Sequence, residues 1–189
     1  MNMKRIFMSV ILTMFTSTSL AAMDWGIELG ARQQAGDVAG LNFSANSMIG
    51  FQGGVFAHVP TEQGPVHFRT GILYTQRPLQ SESDITGDTI DYSLDYLDIP
   101  VDILIKSGEK FGVYMGFHIS INVNKSCSGN DACRVNDVDT PLFPVVFGMM
   151  FKATPKFGFN FYIDGINGPM AKGLYDYKAV GLNLTYSMD

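Results

Sequence analysis

Two neighbouring segments of the chain, 96–106 and 111–123, alternate regularly between apolar side chains and polar or small ones. A short polar turn at 107–110 joins them. Because successive side chains of a β-strand point to opposite faces, this period of two predicts two strands with one apolar face each. The apolar faces consist of Leu97, Ile99, Val101, Ile103 and Ile105 in the first segment, and Phe111, Val113, Met115, Phe117, Ile119, Ile121 and Val123 in the second.

The same alternation recurs along the chain and predicts eight strands. They fall at 25–32, 49–59, 66–76, 90–106, 111–123, 143–153, 157–164 and 179–187. The phase slips by one residue near Asp95 and Tyr96, which predicts a β-bulge. Long loops at 33–47, 78–89, 124–140 and 165–176 alternate with short turns, as in a membrane barrel with short turns on one side and long loops on the other.

The faces opposite the apolar ones carry charges, which a soluble sandwich buries only at high cost. A strand of about 9–11 residues with one apolar face is what a closed barrel needs to cross a membrane. We therefore predict an all-β fold, an eight-stranded antiparallel up-and-down transmembrane β-barrel that is a monomer. The alternative is a secreted soluble binding barrel, in which Ile99, Val101, Phe117 and Ile119 would face inward instead.

The N-terminus predicts export. A short basic region that contains Lys4 and Arg5 precedes an apolar stretch at 6–15, and small residues follow at 19–22. This is the pattern of a signal peptide at 1–21, which leaves 22–189 as the barrel domain. Together with the strand pattern, export predicts the bacterial outer membrane as the location.

Net charge and cysteines narrow the possible partners. Of 13 basic residues, removal of Lys4 and Arg5 leaves 11 against 18 acidic ones, a net charge of −7. Nucleic acid is not expected as a partner, because its binding depends on lysine and arginine. Cys127 and Cys133 lie in one polar segment and predict a local disulfide in an oxidising compartment. Two free thiols or half of a metal site are the alternatives, although the segment contains no histidine.

Charged residues on the polar faces are candidates for a network inside the barrel. We expect Arg69 to pair with acids of the 90–106 strand, because buried charges need partners. The interior of an eight-stranded barrel is just wide enough for side chains to fill. We therefore expect the network to stabilise the barrel rather than to line a pore. The candidates are Glu28, Arg69, Asp98, Asp102, Lys106 and His118, with Arg32, His67, Lys152 and Asp164 in addition.

Three segments give the sequence a family resemblance. They are Gly50–Val55, Gly71–Gln76 and, above all, Tyr96–Val101, which reads Tyr-Leu-Asp-Ile-Pro-Val. The chain resembles the small outer-membrane β-barrel family, the porin-like or PorT-type proteins related in architecture to the OmpA and OmpX barrels. The resemblance accounts for Pro100 within a strand. It implies contact with membrane lipid and lipopolysaccharide, and a structural or surface-interaction role through the extracellular loops.

Enzymatic chemistry has one candidate, because His118 and Ser120 share a strand face and a histidine can activate a serine hydroxyl. Their spacing resembles the His-x-Ser pair of outer-membrane lipid A deacylases. Both side chains lie on the polar face, however, whereas a pair that attacks lipid must reach the outer surface. We therefore expect no enzyme, no catalytic residue and no cofactor. Asp131, Asn136, Asp137 and Asp139 match no defined calcium loop, so no metal site is expected.

Overall fold

The structure is a computed structural model that describes residues 23–188 apart from 41, 63, 130–132, 134 and 136. The predicted signal peptide at 1–21, as well as Asp131 and Asn136, lie outside the described residues. The strands are β1 (Asp24–Val38), β2 (Phe43–Asn46), β3 (Met48–Pro60), β4 (Val66–Ser83), β5 (Thr89–Ser107), β6 (Phe111–Ser128), β7 (Val145–Lys152), β8 (Phe157–Gly165), β9 (Pro169–Ala171) and β10 (Leu174–Ser187).

Eight of these strands form a closed antiparallel ring. Each long strand pairs with the next one in the chain, and β1 pairs with β10 to close the barrel. The short strands β2 and β9 are additions to the ring, since β2 pairs with β4 and β9 pairs with β10. The predicted eight-stranded up-and-down barrel is confirmed. No helix long and apolar enough to cross a membrane occurs in the described part of the chain.

The two faces of each strand are partitioned as a membrane barrel requires. Asp98 and Asp102 are 0% exposed and His118 is 2% exposed, whereas Phe117 is 40% exposed. Since the apolar side chains face outward, hydrocarbon is the solvent that this surface fits. The inverted arrangement of a soluble carrier is therefore excluded.

Three of the predicted loops are largely strand. β1 continues to Val38, the β4–β5 pair rises to a turn at 84–88, and the 165–176 loop contains β9 and the start of β10. The alternation fails to predict these extensions because outside the membrane neither face of a strand must be apolar. Pro78 is a second reason why the predicted strand ends at Gln76, whereas β4 continues to Ser83. It pairs with Ser93 of β5, but no ladder pair joins it to β2 or β3 on its other side, and this is where a strand tolerates proline.

Two further predictions concern local structure. The β5–β6 register shifts between Asp95 and Tyr96, whose partners are Asn124 and Asn122, so the irregularity lies at the predicted place. The residue left without a partner is Val123 of β6, however, and β5 itself keeps a continuous register with β4. Cys127 and Cys133 form a disulfide with their Cα atoms 6.0 Å apart. Because Cys127 lies near the end of β6, the bond ties the following loop back to this strand.

An apolar cluster, here called the cap, fills the barrel interior at the end with the longer connections. Its buried members are Leu79, Leu94, Tyr96, Leu142, Met170, Ala171, Leu174, Tyr177 and Ala179. Leu142 enters from the β6–β7 loop and exchanges two backbone hydrogen bonds of 2.9 Å with Ser120. The long loops of a bacterial barrel are extracellular and its short turns periplasmic. The cap therefore closes the extracellular end.

Candidate functional site

The interior of the barrel contains three buried arginines, and Arg69 donates the most side-chain hydrogen bonds of the three. Its guanidinium donates to Asp102 at 2.7 Å and to both oxygens of Glu28 at 3.1 and 3.2 Å. The Tyr114 ring lies against it, 4.6 Å from the guanidinium carbon to the ring centroid. The pairing of Arg69 with an acid of β5 is thus present in the structure. Charge-assisted bonds of this kind are the stronger class of protein hydrogen bond.

Arg32 of β1 repeats this arrangement with an acid of β8. It donates to the two oxygens of Asp164 at 2.9 and 3.0 Å, and the Tyr177 hydroxyl donates to the same carboxylate at 2.7 Å. The rings of Tyr162 and Tyr177 lie 5.9 and 5.3 Å from its guanidinium carbon. Each positive charge is thus placed between a carboxylate and aromatic faces, which attract cations.

Arg77 forms the third such unit, directly below the cap. Its guanidinium donates to Asp98 at 2.9 Å and to the Ser120 hydroxyl at 3.2 Å. Tyr96 lies 4.5 Å from it and Tyr177 5.1 Å. Tyr177 contacts both Arg32 and Arg77, so it links two of the three units.

His118 lies between the units. One ring nitrogen is 3.8 Å from Asp98 and the other is 3.8 Å from Asp102. Four buried carboxylates face three buried guanidinium groups, and the two acids beside His118 belong to different arginine units. The four carboxylates are Glu28, Asp98, Asp102 and Asp164.

Amide side chains complete the middle of the barrel. Asn160 donates to Glu28 at 2.9 Å, Asn183 donates to Gln52 at 3.0 Å, and Gln52 donates to Thr75 at 3.0 Å. These bonds join β1, β3, β4, β8 and β10 across the interior. Polar contacts therefore cross the lumen as well as follow the wall.

Glycines allow the large rings to lie flat against the wall. The Tyr114 ring occupies the space that a Cβ atom at Gly148 would take, and Tyr162 does the same over Gly181. The side chain of β6 thus packs over β7, and that of β8 packs over β10. Absence of a side chain at these positions is a packing requirement.

A separate cluster lies at the periplasmic end. The Asp24 carboxylate contacts Lys152 at 2.8 Å, His58 at 3.2 Å and Lys106 at 3.3 Å. Lys106 and Lys152, both predicted for the central network, therefore belong to this cluster instead. They lie at the periplasmic ends of β5 and β7, too far along the strands to reach the arginine units.

The structure brings together Glu28, Arg69, Asp98, Asp102 and His118, and also places Arg32 and Asp164 inside. The expectation for His67 is wrong. It is partly exposed beside the β3–β4 turn, where its ring contacts the Pro65 carbonyl at 3.1 Å. His67 is the second residue of β4, so its inward-facing side chain lies at the open periplasmic end of the barrel rather than in the core.

His118 and Ser120 do not form a site that faces lipid. Ser120 is 0% exposed, and its hydroxyl accepts from Arg77. The ring nitrogens of His118 face carboxylates of the interior. Over the part of the chain that the structure describes, no group of three His, Cys, Asp or Glu side chains is placed to hold a metal ion.

Solved structures of other proteins are similar to this one. Neisserial surface protein A superposes with a TM-score of 0.51 at 10% identity, covering 87% of this chain and 97% of that one. Ail of Yersinia pestis, in complex with the heparin analogue sucrose octasulfate, gives a TM-score of 0.49 at 11% identity over 88% and 99%. A search of curated protein sequences found no match. Identities this low bear on the fold alone.

The sequence itself matches the model of one protein family. That family is the outer membrane protein beta-barrel domain, and the match extends over residues 17–168. It covers most of the ring described above, including the three buried arginines of β1 and β4 and their carboxylate partners. The chain belongs to the outer membrane protein beta-barrel domain family and is a protein of the bacterial outer membrane.

Proposed function

We propose that this chain is a monomeric, non-enzymatic barrel that presents a rigid acidic surface to a cationic partner outside the cell. Residues 1–21 are removed on export, and the apolar outer face contacts membrane lipid, including lipopolysaccharide. The interior serves stability rather than conduction or catalysis. Support for this last point comes from the narrow lumen of eight-stranded barrels, which side chains can fill.

The observation that carries the proposal is the height of the extracellular wall. β5 has 19 residues and β4 and β6 have 18 each, whereas a membrane strand needs about 9–11. The excess of roughly eight residues corresponds to about 25 Å of strand beyond the membrane. Ordered structure of this extent is unnecessary for spanning, and it suits a surface that contacts another molecule.

The end of the β4–β5 hairpin determines the kind of partner. Three acids lie there, Glu82, Asp84 and Asp88, and Ile85 between them is 76% exposed. The Asp84 amide donates to the Asn42 carbonyl at 2.9 Å, which ties this end to the β1–β2 connection. Acidic groups around an apolar tip favour a basic partner. A sulfated polyanion such as the ligand in the Ail complex is disfavoured by the same charges.

The test uses the full chain in lipid nanodiscs, immobilised for surface plasmon resonance, with an octalysine peptide and sucrose octasulfate as probes. We expect octalysine to bind and to weaken as salt is added, because exposed charges are screened. The variant Glu82→Gln/Asp84→Asn/Asp88→Asn loses this binding. The control Glu62→Gln/Glu109→Gln removes acids from the periplasmic turns and retains it. Equal octalysine binding by both variants, or binding of sucrose octasulfate, would contradict the proposal.

A further inference from the structure

A groove of about 650 Å³ crosses the outer surface of the barrel at the extracellular end of the apolar belt. β1, β7, β8 and β10 contribute to it. Its lining includes Ala35, Val145, Phe147, Ile163, Lys178 and Val180. The apolar members point away from the barrel, so the groove opens toward lipid.

Strand register explains why there is room at this position. Lys178 of β10 pairs with Ala35 of β1 on one side and with Gly165 of β8 on the other. Both neighbours are small, so no bulky side chain lies beside the lysine on either strand. β7 and β8 also reach their extracellular ends here, at Val145 and Gly165, while β1 and β10 continue.

The charge of the groove comes from Lys178. Among the residues that the structure describes, no acid forms an ion pair with its ammonium group. Asp164 also borders the groove, but its carboxylate is directed inward to Arg32 and Tyr177. The groove therefore combines apolar walls with one available positive charge. A lysine at the edge of hydrocarbon directs its stem along the apolar surface and its ammonium toward the headgroups.

We propose that this groove binds one phosphorylated lipid of the outer leaflet, of the lipid A type. An acyl chain lies along Val145, Phe147, Ile163 and Val180, and a phosphate of the same molecule contacts Lys178. A neutral lipid supplies the chain without the charge, and inorganic phosphate supplies the charge without the chain. The inference deepens the lipid contact included in the proposed function and gives it a position on the barrel.

Native mass spectrometry of the full chain in detergent, titrated with bisphosphorylated lipid A, measures this binding directly. We expect Lys178→Ala to weaken the apparent affinity about fivefold, the contribution of one lysine at an anionic membrane surface. Ala35→Phe fills the groove while keeping the lysine, and it also weakens binding. The matched control is Lys125→Ala, which removes an exposed lysine of β6 outside the groove and leaves the affinity unchanged.

Dephosphorylated lipid A and inorganic phosphate identify the source of the binding energy. We expect dephosphorylated lipid A to bind the wild type as weakly as lipid A binds Lys178→Ala, and millimolar phosphate not to displace the lipid. Equal affinities for Lys178→Ala and Lys125→Ala, or displacement by phosphate alone, would overturn the inference. Heat-modifiable mobility verifies that each variant is folded. Octalysine binding at the hairpin end is a separate readout, so failure here leaves the surface role intact, and the reverse also holds.

Discussion

At the level of single residues, the middle of the barrel interior is organised by arginines rather than by apolar packing. Arg32, Arg69 and Arg77 each meet a carboxylate and at least one tyrosine ring. A buried charge pair contributes little net stability compared with apolar residues of the same shape, but removal of one partner is costly. The units therefore act mainly by penalising any arrangement that separates their members.

The strongest single effect is expected at Arg69. Arg69→Ala leaves Glu28 and Asp102 buried without their cation, and we expect it to lower the free energy of unfolding by about 3–5 kcal/mol. Urea unfolding in detergent measures this through the fluorescence of Trp25, which is the single tryptophan of the chain.

Removal of the whole unit is the control for Arg69→Ala. The variant Arg69→Met/Glu28→Gln/Asp102→Asn carries no uncompensated charge, and we expect it to recover most of the lost stability. If the triple variant is as unstable as Arg69→Ala, unpaired charge is not the cause.

A second residue-scale prediction concerns Gly148. An alanine there meets the Tyr114 ring, which must move away from Arg69. We expect Gly148→Ala to cost about 1–3 kcal/mol of unfolding free energy, as overpacking does elsewhere. Gly53→Ala is the matched control, since its Cβ atom meets the end of the flexible Leu29 side chain at 2.8 Å. Comparable midpoints of urea unfolding for the two variants would count against this packing role.

Some of these contacts were predictable from the sequence and others were not. Period two places Glu28, Arg69, Asp98 and Asp102 on inward faces, because hydrocarbon selects the other face. Arg77 follows the same period from Arg69, but it is not predicted as an inward residue because the predicted strand ends at Gln76. The tyrosines that stack on the arginines also lie on inward faces, namely Tyr96, Tyr114, Tyr162 and Tyr177. Which arginine each ring contacts depends on how the strands are shifted along one another, and the pattern of a single strand does not predict that shift.

At the level of elements, membrane and extracellular parts of the same strand follow different rules. Within the membrane, alternation is enforced by lipid on one face and by the lumen on the other. Beyond it, β4 and β5 continue as a ladder from Gln76–Asp95 to Glu82–Thr89 without that constraint. The sequence therefore predicts where strands cross the membrane better than where they end.

Shortening the β4–β5 hairpin tests this division. Replacement of residues 81–90 by Asn-Gly joins the paired residues Gln80 and Asp91 through a two-residue turn. We expect the barrel to assemble and to keep heat-modifiable mobility, because the membrane part of both strands is intact.

The matching control removes the same number of pairs inside the membrane. A deletion of 70–74 with 97–101 leaves both strands too short to span, and we expect it to abolish heat-modifiable mobility. Loss of mobility in the 81–90 variant would show that the extension is required for assembly.

At the level of the whole molecule, different kinds of side chain fill the barrel at different heights. The Asp24 cluster lies at the periplasmic end, the arginine units occupy the middle, and the apolar cap lies at the extracellular end. Every layer contains side chains from several strands. An ion that crossed would have to pass buried charges of both signs and then an apolar layer.

We therefore expect the purified chain to give no stepwise current in planar bilayers at 100 mV in 1 M KCl. The expected trace equals that of a protein-free bilayer, with insertion verified separately by heat-modifiable mobility of the recovered protein. Reproducible single-channel openings would show that the interior rearranges to admit ions.

The arginine units also bear on how the chain avoids misassembly. Pairing any strand one residue out of step turns its inward set of side chains outward. For β4 this slip would expose Arg69 to hydrocarbon while Ile72 and Tyr74 entered the lumen. The bilayer therefore selects the native register, because a barrel with the slipped register turns charged side chains toward hydrocarbon and is solvated worse.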